Sequence, residues 1–372
     1  MGGSALCALA AVERFGARQR GTGVPREKPG SLPRAGADRR RLRRPRIRRI
    51  AVSLAAEGHE PGQRPPNVRR WRREFVTGAL LVCLAGSGLS VPAPARAQVS
   101  TSDELVVLGV NAALGSATAG ISAAIHGKPI IRAMVTGAAG GLLIYGGKHL
   151  TGMYAVPTLG LPGRAIAAIG SSMIRNGGAG RGPFDVVVIP LGPLTFYHTA
   201  DADSAHSPVK LNLLRTIVLA TLVIHERTEF DLEETMYLGA PVFRTPDRLL
   251  LVNGRQAVIG LAFGGSMVVS DRAVLEATMG HDHYPFLVAH ERVHVLQDAF
   301  AEIAITGPVE QWLIGLLPYG DRISRYVEFG AVHAAAAVPL LSTIIPYDQR
   351  PWEREADHFA TRYEELNARW AF

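Results

Sequence analysis

The 372-residue sequence predicts an α+β fold. A mostly antiparallel sheet packs with a helix carrying His290-Glu291-Arg292-Val293-His294, and a helical hairpin rich in small residues precedes them. Three observations predict it. Residues 105–125 and 133–147 are uncharged and dense in Gly, Ala and Ser; short β-branched runs crowd residues 183–270; helix start and stop signals return after Gly280 and again at Pro351.

The first 97 residues carry 20 Lys+Arg against 6 Asp+Glu. Arg69-Arg70-Trp71-Arg72-Arg73 is a basic n-region, Phe75 to Val91 an apolar h-region, and Ala95-Arg96-Ala97 an A-x-A cleavage site before Gln98, so residues 68–97 read as a signal peptide and the protein as exported. Residues 1–67 are a basic Arg/Pro/Gly-rich segment unable to bury a core; translation is expected to start near Val68, leaving 1–67 non-native. Residues 98–372 hold 20 Lys+Arg against 26 Asp+Glu, about −6, so the basic character of the whole chain, formally +8, implies no nucleic-acid partner. Both cysteines, Cys7 and Cys83, fall in the leader. Processing removes them, which excludes disulfides and cysteine-liganded zinc. Val82 before Cys83 is a poor lipoprotein signal.

Residues 98–180 form the helical segment. Small residues at helical spacing let backbones approach closely in membranes and in tight soluble hairpins. Leu105 to Ile125 is long enough to span a bilayer but carries Asn111, Ser116, Thr118 and Ser122 and has a short partner. A soluble or peripherally attached hairpin is therefore preferred, with membrane association through insertion of residues 105–156 as the alternative. Gly160-Leu161-Pro162-Gly163 and Gly177-Gly178-Ala179-Gly180 read as loop punctuation.

Residues 181–372 are expected to form the second unit, of mixed strands and helices. Strands are expected at Val186–Ile189, Thr216–Leu219, Leu222–Ile224, Leu249–Val252, Val258–Leu261 and Gly265–Ser270, with Asn253-Gly254 as a hairpin turn and Glu226 to Glu234 as a solvated connection. The Gly265–Ser270 strand lies just upstream of the motif helix and would hold an extended peptide by backbone hydrogen bonds. Pro285 suits the first turn of that helix, and Gly307-Pro308 is expected to stop it.

Residues four apart share a helix face, so the His290 and His294 imidazoles converge on one tetrahedral ion, and Glu291 stands beside it as proton acceptor for a metal-bound water. Downstream, Glu353-Arg354-Glu355-Ala356-Asp357 lies in a second helix, Pro351 to Asn367, where Glu353 and Asp357 share a face. One can ligate while the other orients. His281 and His283 are best explained by a capping loop, and His198, Asp201, Asp203 and His206 by turn chemistry. His333, His358 and Tyr363 are candidates to stabilise an oxyanion, while Trp312 and Trp352 read as core or pocket wall.

The pairing of H-E-x-x-H with E-x-x-A-D resembles the gluzincin metallopeptidases, in particular the group containing the CaaX prenyl proteases and the bacterial envelope quality-control proteases. The resemblance covers roughly the last third of the chain, from Gly265 onward. It implies a zincin-like domain with Zn2+ on His290, His294 and Glu353, Glu291 as general base, and Asp357 hydrogen-bonded to a ligand histidine. Glu355 competes as third ligand; Glu353 is preferred because the family pattern places its ligand four residues before the aspartate. The implied function is an exported zinc metalloendopeptidase of the periplasm or cell envelope that hydrolyses polypeptides with a metal-activated water. The alternative is a non-catalytic envelope scaffold or chaperone with a structural zinc site. Glu291 separates the two, since a structural site has no use for a free carboxylate beside an open position.

Overall fold

A computed structural model describes residues 100–372 except residue 154 and residues 201–207, 248–249, 253–255, 259, 264, 281–282, 331–344, 346–348 and 365–372. The leader, the signal peptide, both cysteines, Asp201, Asp203, His206, His281 and His333 lie outside the described residues.

Helix α1 (Thr101–Ile125) begins a turn before the apolar run, because Ser100 and Asp103 form a reciprocal cap: the Ser100 hydroxyl accepts from the Asp103 N–H, and Asp103 accepts from the Ser100 N–H, both at 3.2 Å. Helix α2 (Ile130–Gly152) returns antiparallel, and α3 (Gly160–Gly178) lies against both. The glycines expected as loop punctuation are thus mostly helical, a correction with a steric reason. A Cβ on Gly163 would stand 2.9 Å from the Gly147 carbonyl oxygen, and one on Gly141 would lie 2.9 Å from the Ala112 Cα. Small residues are there for backbone contact between helices.

Buried Arg164 on α3 donates to the carbonyls of Gly239 (3.0 Å), Gly265 (2.9 Å) and Pro190. One guanidinium thereby ties the helical layer to the segments flanking both larger sheets. The first of these sheets contains β1 (Val186–Leu191), β2 (Leu194–Thr199) and β3 (Val209–Asn212), paired antiparallel in the registers Val186↔Thr199 and Leu194↔Leu211.

Next comes α4 (Leu213–Glu226), which corrects the strands expected at Thr216–Leu219 and Leu222–Ile224. Asn212 caps it, accepting from the Arg215 N–H at 3.1 Å, a contact worth about 1 kcal/mol. Arg215, Leu219 and Glu226 are its buried residues. Capping and helical-period burial override the β-branched composition, which is a weak prior. The connection expected at Glu226 to Glu234 is also more structured than its charge suggests. It holds β4 (Glu229–Asp231) and the start of α5 (Leu232–Leu238), where Asp231 accepts from the Glu234 N–H at 2.9 Å.

Strand β5 (Val242–Arg244) leads to the pair β6 (Leu250–Val252) and β7 (Gln256–Val258), antiparallel as the Asn253-Gly254 turn requires, although the turn itself lies outside the described residues. Strands β8 (Gly260–Phe263) and β9 (Ser266–Val269) join around Gly265, whose φ of 76° favours glycine. The second sheet has the order β4-β5-β9-β8, so β9 is interior and β8 is an edge among the described residues. The pairings are mostly antiparallel; β5–β9 is parallel.

After α6 (Arg272–Met279), helix α7 (His283–Phe300) carries the histidine motif. It does not stop at Gly307-Pro308: a π-helical turn, Ala301–Thr306, carries it into α8 (Gly307–Gly315), with the Gly307 N–H bonded five residues back to the Glu302 carbonyl. Short α9 (Gly320–Ile323) and β10 (Val327–Glu328), which pairs parallel with β3, precede α10 (Pro351–Arg362).

Helix α7 is buried on two sides. Tyr284, Leu287, Val288 and Val295 pack with Val242, Met267 and Val269 of the second sheet. Val293 packs with Val107 of α1 and with Ala356 and Phe359 of α10. The motif helix is the axis of the molecule, with the sheet on one flank and the hairpin and α10 on the other. Trp312, expected in core or pocket wall, is instead 65% exposed on α8, while Trp352 is half-buried.

Candidate metal centre

Burial on both flanks fixes the α7 side chains, and the four-residue spacing puts His290 and His294 on the face turned to α10. Their Nε2 atoms lie 2.9 Å apart. Glu353, in the first turn of α10, brings Oε2 to 3.1 Å from His294 Nε2 and 3.4 Å from His290 Nε2. Two ligand atoms on one tetrahedral ion at about 2.05 Å stand about 3.3 Å apart. The triangle is within a few tenths of an ångström of that edge on every side.

The donor set and its charge fit the same conclusion. Two neutral imidazoles face three carboxylates, Glu291, Glu353 and Asp357, an excess of negative charge that a divalent cation offsets. Without an ion, protons take over that role. Burial opposes charge on His290, but hydrogen bonding to Asp357 and Glu353 outweighs it and pushes the imidazole up to about 10. Burial opposes charge on His294 as well, yet Glu353 raises it. Burial also works against ionisation of Glu353, and the two imidazoles hold it well below the usual carboxylate range. The group His290, His294 and Glu353 can therefore hold a metal ion.

Each imidazole is held from behind. His290 Nδ1 lies 2.9 Å from Asp357 Oδ1, and its ring stacks on Phe286. His294 Nδ1 lies 2.7 Å from Gln297 Oε1. The Gln297 amide nitrogen donates to the Trp352 carbonyl (3.0 Å) and to Glu355 Oε2 (2.8 Å), so its two N–H bonds are used and its oxygen is left to accept from His294 Nδ1–H. That tautomer leaves the His294 Nε2 lone pair free to bind an ion.

Glu291 is adjacent to the triad and does not join it. Its side chain passes under β8: a Cβ on Gly260 would be 3.0 Å from Glu291 Cγ, and Ala262 supplies a backbone hydrogen bond to the carboxylate. Burial raises its pKa, with the two imidazoles working in the opposite direction. A carboxylate raised above its ordinary range holds a proton more readily than a free one.

The sequence-predicted residues separate cleanly. His290, Glu291, His294, Glu353 and Asp357 come together. Glu355 does not compete for the ion: its oxygens face Gln297, Lys148 (2.7 Å) and Asn111 (2.6 Å). His358 and Tyr363 do not point at the triad; His358 Nε2 faces Glu104 (3.3 Å), and Tyr363 shares a 2.6 Å hydrogen bond with His149. His198 is exposed on β2, and His283 begins α7 as a half-buried residue. The strand beside the site is β8, not the Gly265–Ser270 segment, whose β9 is interior. Sequence reasoning missed Gln297, although it lies one turn after His294 on the same face. It also missed Asn111 and Lys148 as partners of the site; each shares its helix with other polar side chains, so nothing in the sequence marks them out.

Searches against protein-family models, curated proteins and solved structures found nothing that matches this chain.

Proposed function

We propose that the protein is a zinc-dependent peptide hydrolase of the gluzincin type. The observation that carries the reading is the convergence of His290, His294 and Glu353 from two helices, with a buried, non-coordinating Glu291 next to the gap they enclose. Two imidazoles and one carboxylate suit zinc and leave a position open. When bound, the ion acts as a Lewis acid toward a carbonyl oxygen and acidifies a water molecule. Glu291 takes the proton from the attacking water and returns it to the leaving amine nitrogen. Asp357 and Gln297 hold the ligand rings in place.

A peptide is the substrate class this layout favours. Edge strand β8 runs beside Glu291 with an unpaired side among the described residues, so an extended polypeptide can add to it through main-chain hydrogen bonds and present a carbonyl to the site. In the same reading the protein is exported to the cell envelope and associates with a membrane through α1 and α2. Both helices are long and apolar enough to cross a bilayer, at 25 and 23 residues, and the α2 start exposes Ile131 (75%) and Val135 (67%). Fractionation checks the association, with the protein expected in the membrane fraction; carbonate extraction then separates an inserted hairpin, which stays in the pellet, from a peripheral one, which is released.

The test of the enzyme reading uses the full chain. Metal analysis should find about one zinc per chain, with casein or mixed peptides cleaved. Glu291→Gln should keep the metal and lose turnover, whereas His294→Ala should lose both. Full activity in Glu291→Gln would refute a catalytic role and leave the scaffold alternative.

A further inference from the structure

We propose that Asn111 and Lys148, on the helical hairpin, are positioning residues of the metal centre, acting on His294 through Glu355 and Gln297. The inference deepens the function proposed above and rests on its metal site.

The chain of contacts is continuous. Lys148 Nζ donates to Asn111 Oδ1 (2.9 Å) and to Glu355 Oε2 (2.7 Å). Asn111 Nδ2 donates to Glu355 Oε1 (2.6 Å) and, along its own helix, to the Val107 carbonyl (2.9 Å). Both Glu355 oxygens are therefore clamped by the hairpin. Glu355 Oε2 in turn accepts from the Gln297 amide, and Gln297 Oε1 meets His294 Nδ1. Hairpin, α10 and α7 each contribute one link.

Burial makes the arrangement binding on the sequence. Lys148 is 4% and Asn111 6% exposed. A buried ammonium or amide is costly unless its hydrogen bonds are met, and here the partners are one another and Glu355. Cutting the chain at Lys148 leaves Glu355 with the Asn111 and Gln297 amides and no cation, so the carboxylate loses one of its two hairpin clamps; Gln297 keeps the Trp352 carbonyl but is drawn with Glu355, which shifts the oxygen that meets His294 Nδ1. Asp357 supports His290 directly from the ligand helix, whereas the support for His294 comes from a separate layer of the fold. Docking of the hairpin and shaping of the metal site are thus one event, in which the small residues of α1 and α2 bring Asn111 and Lys148 within reach.

The experiment compares wild type, Lys148→Met and Tyr145→Phe as full chains. Met keeps the length of Lys148 without its donors. Tyr145→Phe removes a different hairpin hydrogen bond, from the Tyr145 hydroxyl to Glu104, and serves as the structural control. Zinc affinity is read by competition with a chromophoric chelator, coordination geometry by the visible spectrum of cobalt-substituted protein, and folding by circular dichroism and melting. Loss of an outer-shell partner weakens metal binding by about 10- to 100-fold. Lys148→Met should show that loss and an altered cobalt spectrum while remaining folded. Tyr145→Phe should lower the melting temperature and keep the wild-type affinity and spectrum. A folded Lys148→Met with wild-type affinity and spectrum, or equal affinity losses in both variants, overturns the relay and leaves the metal site standing. Wild type that takes up no metal overturns the site and the relay together. If Lys148→Met does not fold, Asn111→Leu cuts the hairpin's hold on the other Glu355 oxygen, with a loss of affinity expected and wild-type affinity refuting the relay.

Discussion

Metal and proton compete for the same two imidazoles, and the structure gives that competition a measurable slope. In the metal-free protein His290 is pushed up to about 10, and His294 is raised as well. Zinc requires both rings neutral, so below about pH 10 binding must expel at least one proton. Apparent affinity should then fall about tenfold, or ~1.4 kcal/mol, for each unit of pH lost. An ordinary histidine near 6.5 would leave affinity nearly flat above pH 7.5. The two cases separate between pH 7.5 and 9.5, where the raised imidazole predicts a rise of about 100-fold. Chelator competition across that window, corrected for protonation of the chelator, measures it. Calorimetry in buffers of different ionisation enthalpy counts the protons released. A flat profile with no proton release would refute the reasoning. Stability carries the opposite sign in the metal-free chain. A group raised in the folded state contributes stability fully present below its unfolded value and lost as pH rises through about 10. The melting-temperature gain on adding zinc should therefore grow with pH.

Two further outcomes follow from close approaches of backbone. Gly260→Ala would place a methyl 3.0 Å from Glu291 Cγ and 3.2 Å from Leu287 Cδ1. Displacing the base by even part of an ångström should cut kcat by up to about 100-fold with zinc content unchanged, as assayed on casein and by metal analysis. In the hairpin, Gly141→Ala drives a Cβ into the Asn111 carbonyl and to 2.9 Å from Ala112 Cα, which should cost about 1–3 kcal/mol. Gly109→Ala meets nothing within 4 Å and should gain about 1 kcal/mol from helix propensity. Denaturant melts of the pair check both signs.

Local signals were legible wherever the deciding interaction lay within a few residues. The helical hairpin, the motif helix and the C-terminal helix are announced by their own composition or spacing; Asn253-Gly254 marks the β6–β7 pair, but the strand expected at Val258–Leu261 divides between the end of β7 and the start of β8. Strand readings failed at Thr216–Leu219 and Leu222–Ile224, where the β-branched run was outvoted by the Asn212 cap and by burial of Arg215 beside Glu302. Loop readings failed at the α3 glycines, because a glycine that permits close packing looks the same in sequence as one that breaks a helix. The motif helix runs past Gly307-Pro308 through a π-turn that no local spacing marks.

By itself the sequence determined that two imidazoles share a helix face and that a carboxylate stands beside them, since the α-helix sets those relations at 100° per residue whatever surrounds it. Helix geometry alone could not choose between Glu353 and Glu355; the preference for Glu353 came only from the family resemblance. Two residues apart, these project about 200° from each other around α10, so only one of them can reach the two imidazoles. Tertiary structure made the choice by docking the hairpin against α10: the buried donors Asn111 and Lys148 claim Glu355, and Glu353 is left to the histidines.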